Sequence, residues 1–143
     1  MTALRAVFDN SAIIPVLVPH PLTDLAVGML ERFEPVLLSF LKVECANVLR
    51  KMVRAGTLSP AGASQALASL SSEFLFEPFE FYLPGALDRA IVADHGVYDC
   101  LYVEAARQTN APLITADKRL TRKFAHQGAL MIINLFDLPE TLP

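Results

Sequence analysis

Four acidic residues occupy positions where an α/β chain places its chemistry. Asp9 directly follows the apolar run Ala6-Val7-Phe8, and Asp117 lies just past Leu113-Ile114-Thr115. Glu44 falls in the first turns of the helical stretch after Val36-Leu37-Leu38, and Asp99 stands at the start of another helical stretch. Open parallel α/β sheets bind ligands in the crevice outside the carboxyl ends of their strands, so all four acids can converge at one sheet edge. Carboxylates brought together repel, and their pKa values rise unless positive charge is supplied. Hard oxygen ligands favour Mg²⁺, with Mn²⁺ as the second choice, over zinc. An ion held this way suits phosphoryl chemistry: it can activate water, polarise the phosphate and stabilise the leaving oxygen, and two ions ~4 Å apart would share those tasks. Ser11 and Thr115 add hydroxyls beside Asp9 and Asp117.

Each aspartate also has a plainer explanation, because Asp at a helix start caps the first turn and complements the macrodipole. Glu44 resists that account. On a helical wheel it borders the apolar stripe Leu41, Cys45, Val48 and Met52, where an unpaired carboxylate is costly. Basic residues run away from two of the acids. Lys118, Arg119, Arg122 and Lys123 follow Asp117 at helical spacing, and Arg50, Lys51 and Arg54 follow Glu44, with Glu44, Asn47, Lys51 and Arg54 down one side. Such stripes can hold phosphates, although an isolated one is more often a solvated helix face. The histidines receive no role in water activation. Gly96 separates His95 from Asp99, His126 extends a basic helix, and His20 lies between two prolines.

The elements that must position these residues follow from patterning. Residues 4–8, 35–38, 112–115 and 130–133 read as short buried strands. Residues 21–33, 40–55, 84–95, 98–108 and 117–127 read as helices, and a further helix opens at Ser59-Pro60. Ser39 is the expected cap of the helix at 40–55. Residues 74–83, with Phe76, Phe79 and Phe81 in loose alternation, are expected to form one more strand. Short apolar strands separated by helices imply a three-layer α/β/α sandwich around a mainly parallel sheet.

A length of 143 residues fits one domain, 1–143. Hydrophobic residues make up 53% and charged residues 19%, which excludes intrinsic disorder. The longest apolar run, residues 12–19, is too short to span a bilayer, and Asp9 interrupts any signal-like stretch, so no membrane partner and a cytoplasmic location are expected. Cys45 and Cys100 match no disulfide or C-x-x-C framework and are expected to be buried. A net charge of −3 argues against a protein that coats duplex DNA through a broad basic surface. A mean hydropathy of +0.40 calls for an apolar face covered by a partner or a second copy, and Leu17, Met29, Phe33 and Phe40 are expected to supply it.

Four segments, Val7-Phe8-Asp9-Asn10-Ser11-Ala12, Val43-Glu44-Cys45-Ala46-Asn47-Val48-Leu49, Val97-Tyr98-Asp99-Cys100-Leu101-Tyr102 and Leu113-Ile114-Thr115-Ala116-Asp117-Lys118-Arg119-Leu120, resemble in order the four acidic motifs of PIN domains. The likeness spans nearly the whole chain and looks nearest to VapC-type toxins of type II toxin–antitoxin modules. It implies a Mg²⁺- or Mn²⁺-dependent endoribonuclease acting on structured RNA such as tRNA or rRNA, held inactive by a cognate antitoxin and commonly dimeric. Asp9, Glu44, Asp99 and Asp117 match the metal-site acids, with Thr115 and Ser11 as supporting hydroxyls. Glu104, where Ala or Leu is common in the family, is expected to be solvated. Two other classes stay open: a PIN fold that binds without turnover, and a small metal-dependent phosphohydrolase, for which Asp9-Asn10-Ser11 lacks the second Asp of a D-x-D motif.

Overall fold

The structure, a computed structural model, describes residues 3–140 and Leu142. Its centre is β1 (Arg5–Phe8), where Ala6, Val7 and Phe8 are all completely buried. Successive strand residues face opposite sides, so burial of all three means that both sheet faces are covered. Three further strands, β2 (Glu34–Val36), β3 (Leu113–Thr115) and β4 (Ile132–Asn134), complete a parallel sheet of order β2-β1-β3-β4. Val7 pairs with Val36 on one side and Leu113 on the other. From β1 the chain moves to β2 on one flank and later to β3 on the other, so the switch point of the topology lies between the carboxyl ends of β1 and β3.

Seven α-helices among the described residues pack around this sheet: α1 (Asn10–Leu17), α2 (Thr23–Arg32), α3 (Leu41–Arg54), α4 (Pro60–Glu73), α5 (Leu83–Ala93), α6 (Val97–Thr109) and α7 (Lys118–Phe124). The expected α/β/α architecture is therefore present. Local chemistry explains several boundaries. Ser59 Oγ accepts from Gly62 N–H at 3.0 Å ahead of Pro60, and Gly56, with φ +78°, follows the end of α3 in the left-handed region. Leu22, Leu25, Ala26 and Met29 bury one side of the α2 region. None of the helices is long and apolar enough to cross a membrane.

Residues 74–83 do not form a strand. They make a single bridge, Leu38 to Glu77, before turning into a short 3-10 helix, Phe79–Tyr82. Pro78 explains the stop, since it has no N–H to continue a ladder. Ser39 does not cap α3; its Oγ accepts from Phe79 N–H at 3.3 Å and ties this segment down.

Met29 points inward at 4% exposure, and Leu17, Phe33 and Phe40 pack partly against the core. A stripe of exposed apolar residues lies on α5, where Leu83, Leu87 and Ile91 recur every fourth residue and Ile91 is 70% exposed. Glu104 is not solvated: its Oε2 accepts from Arg89 Nε at 3.1 Å and Nη2 at 2.9 Å. Gly85 permits this pairing of α5 with α6, because a Cβ there would stand 2.7 Å from Glu104 Oε1.

Candidate active site

Asp9 ends β1 and begins α1. Its extended backbone lets Oδ1 accept from Ala12 N–H at 3.1 Å, the ordinary cap of a first turn. Two hydroxyls then claim the same carboxylate. Ser11 Oγ donates to Oδ1 at 2.6 Å, and Thr115 Oγ1 donates to Oδ2 at 2.5 Å. Both hydroxyls accept amide protons from the β3–α7 link, Ser11 from Ala116 at 2.7 Å and Thr115 from Asp117 at 3.0 Å. Each hydroxyl has one proton, and with the amides donating to them those protons are directed at Asp9.

Despite these donors, Asp9 has its pKa pushed up to about 6, because burial at 3% exposure outweighs them and the Asp99 charge adds to the rise. Glu44, half-buried on α3, is pushed up to about 7 by burial and then by Asp9 and Asp99, against the bond donated to its Oε1 by the Tyr102 hydroxyl. Burial, and then the Glu44 charge, raises the Tyr102 hydroxyl as well. Asp99, in the first turn of α6, sets Oδ2 2.7 Å from His95 Nε2, and the His95 ring packs edge-on against Phe124 at 5.2 Å. Asp9, Glu44 and Asp99 thus share one electrostatic environment.

Asp117 stands apart from that trio. Its Oδ1 caps α7 by accepting from Leu120 N–H at 3.0 Å, and its backbone amide is linked to Asp9 through Thr115. Among the described residues no three His, Cys, Asp or Glu side chains are arranged to hold an ion as they stand. The donor set nonetheless suits a hard divalent cation. What acts on Asp9 and Glu44 is burial, hydroxyl or amide donors and other acids, with no basic side chain among these influences. Glu44 Oε2 and Asp99 Oδ1 make no hydrogen bond to the described residues.

The basic residues divide by location. Lys51 lines an open cleft of about 550 Å³ with Asn10, Phe40, Val43, Glu44, Asn47, Val48 and Tyr98. Arg50 turns its Nε to Asn47 Oδ1 at 3.4 Å, and Arg54 is exposed at the end of α3. Lys118 and Arg122 line a smaller pocket with Thr121, Asn134 and Asp137, while Arg119 and Lys123 are exposed. Cys45 and Cys100 are buried, and burial pushes their thiols up to about 12 and about 11.

Sequence reasoning missed Tyr102 and set His95 aside. Tyr102 lies three residues after Asp99 on one helical face, and His95 four residues before it. An aromatic residue at helical spacing reads as core, and the break at Gly96 argued against a contact that His95 nonetheless makes with Asp99.

A parallel sheet with acids gathered at its switch point defines the class, and the family follows. Residues 6–125 match the PIN domain family, and the chain belongs to it. Its fold is similar to PAE2754 from Pyrobaculum aerophilum, at 22% identity over 90% of this chain and 83% of that one, TM-score 0.68. It is also similar to VapBC2 from Rickettsia felis bound to a DNA fragment from their promoter, at 17% identity over 92% of this chain and 98% of that one, TM-score 0.66. No curated protein matches the chain.

Proposed function

We propose that the protein is a Mg²⁺-dependent endoribonuclease of VapC type, able to use Mn²⁺, that cuts structured RNA such as tRNA or rRNA. The observation that carries this reading is Asp9: a buried carboxylate pinned by two hydroxyls, beside two further acids, with no protein cation acting on it. Membership of the PIN family and the likeness to the VapBC2 structure support the same reading.

In this reading Asp9, Glu44 and Asp99 are the principal ion ligands, with Asp117 at the rim. A bound Mg²⁺ or Mn²⁺ would supply Lewis acidity and neutralise charge developing on the phosphate. Ser11 and Thr115 keep Asp9 in one rotamer. Tyr102 and His95 do the same for Glu44 and Asp99, so that ligand geometry is preorganised by neighbours. Arg50, Lys51 and Arg54 on one helix, and Lys118, Arg119 and Arg122 on another, attract the RNA backbone.

A cognate antitoxin is the inhibitory partner. The exposed α5 stripe, Leu83, Leu87 and Ile91, is the surface for a second copy of the chain. The setting of such a system is the cytoplasm. The test is incubation of purified protein with tRNA: cleavage with Mg²⁺ that stops in EDTA and returns on adding Mg²⁺ supports the assignment, and metal-independent or absent cleavage defeats it. Light scattering checks the dimer, with Ile91→Glu expected to shift it to monomer.

A second reading, a PIN fold that binds RNA without turnover, would use the same basic helices and the Lys51 cleft. It requires RNA affinity in a protein that shows no Mg²⁺-stimulated cutting.

A further inference from the structure

The cleft beside Glu44 offers more than a lysine. Tyr98 precedes Asp99 at the start of α6, and its ring stacks on Phe40 with centroids 5.1 Å apart and planes inclined by 21°. Phe40 is braced in turn by an edge contact with Phe79 at 5.5 Å. With one face on Phe40, Tyr98 still remains 61% exposed, which requires its other face to be open to water. The remaining exposed rings are differently placed. Phe136 already carries the Lys118 ammonium over its ring at 4.6 Å, and Phe81 packs edge-on against Tyr82 and does not line the cleft.

Around the Tyr98 ring the cleft gathers Asn10 and Asn47, whose amides can both donate and accept, the Lys51 ammonium, and Glu44. Its volume of about 550 Å³ lies within the range of roughly 300–1,000 Å³ usual for small-molecule sites. An open aromatic face, amides for a base edge and an ammonium for a phosphate are together what one unpaired nucleotide requires.

We infer that Tyr98 is a nucleobase-stacking residue. The cleft between α3 and α6 seats one unpaired nucleotide, with its base on the outer face of Tyr98 and its phosphate toward Lys51, and so delivers the adjoining backbone to Glu44 and Asp99. This rests on the ribonuclease reading and refines it. A base inside a duplex has both faces covered by neighbours, so the device selects unpaired segments of a folded RNA.

The test uses full-length chain carrying Asp9→Asn, so that RNA survives the titration. The protein contains no Trp, so adding Tyr98→Trp introduces a single indole at the stacking position. A short oligoadenylate should quench that indole, and an abasic ribose-phosphate strand of equal length should not. In the same background Tyr98→Ala should weaken oligoadenylate binding about tenfold and leave abasic-strand affinity unchanged, and Tyr98→Phe should restore binding. The abasic arm also reports folding, because a misfolded variant would lose both strands. Unquenched indole, or equal oligoadenylate affinity in Tyr98→Ala and its parent, overturns the stacking role; Mg²⁺-dependent cleavage by the protein with Asp9 intact would then leave the nuclease reading standing. Failure of every form to bind either strand overturns both.

Discussion

The β1–α1 and β3–α7 junctions are built alike and behave differently. In each, a buried strand runs into an aspartate whose Oδ1 caps the next helix, Asp9 receiving Ala12 N–H at 3.1 Å and Asp117 receiving Leu120 N–H at 3.0 Å. Yet Asp9 is buried among two hydroxyls and two acids, whereas Asp117 is partly exposed and its Oδ1 caps α7. Strand register explains the difference. Phe8 pairs with Ile114, so the residue level with Asp9 on β3 is Thr115, and Asp117 comes two positions later, outside the sheet edge. A strand-Asp-helix pattern therefore marks a candidate, and its height relative to the sheet decides which candidate becomes the centre of a site.

The largest contrast should appear in cleavage. Asp9→Asn is expected to lower the initial rate on a given RNA about 10³-fold, and Asp117→Asn only about tenfold, since Asn caps a helix as well as Asp. Equal losses would erase the distinction between the two junctions.

The next contrast is in pH dependence. Burial raises Asp9 from 3.8 to about 6 and Glu44 from 4.5 to about 7, so the folded metal-free protein prefers their neutral forms. The stability this allows is fully present below about pH 4, declines as pH rises through the two folded-state values, and is gone above about pH 7. For Asp9 the span is on the order of 2–3 kcal/mol. Urea unfolding in EDTA should therefore show Asp9→Asn gaining on the parent between about pH 4 and pH 7 and holding a constant lead above that; a gap that does not change between pH 4 and pH 7 would contradict the burial argument. Mg²⁺ at pH 8 should stabilise the parent protein more than Asp9→Asn.

Smaller effects concern the framework of each junction. Thr115→Val leaves Asp9 Oδ2 without its hydroxyl donor and the Asp117 amide without its acceptor, and should cost about 1–3 kcal/mol in chemical unfolding. Asp117→Ala removes a single cap and should cost about 1 kcal/mol, with Asp117→Ser recovering most of it. A larger loss at Asp117 than at Thr115 would reverse the comparison.

Much of this organisation was legible before any fold was known. Ala6-Val7-Phe8 is apolar at every position, as a strand covered on both faces must be, and Asp9-Asn10-Ser11 announces the helix that follows. Glu44 stood out because it borders an apolar stripe, and the structure finds it half-buried with a raised pKa. Residues 74–83 misled because loosely alternating phenylalanines resemble a strand, while Pro78 and the side-chain ties of Glu77 to Arg5 and Tyr82 turn the segment aside. Glu104 was misjudged because its partner, Arg89, lies on a different helix. Met29 was expected on an exposed apolar face, but inward rotation of α2 buries it, and the exposed stripe Leu83, Leu87 and Ile91 on α5 was not foreseen.

Local order was written in the chain itself: strand, acid, helix, with the Asp9 and Asp117 junctions each closed by a cap that reaches only three residues ahead. Which acids share a field was decided by pairings such as Thr115 with Asp9, 106 positions apart, and Tyr102 with Glu44, 58 apart. Propensity and periodicity act over a few residues, so they could nominate Asp9 and Asp117 equally. Only the register of β1 against β3 and the packing of α3 and α6 could bury one of them among charges and leave the other at the rim.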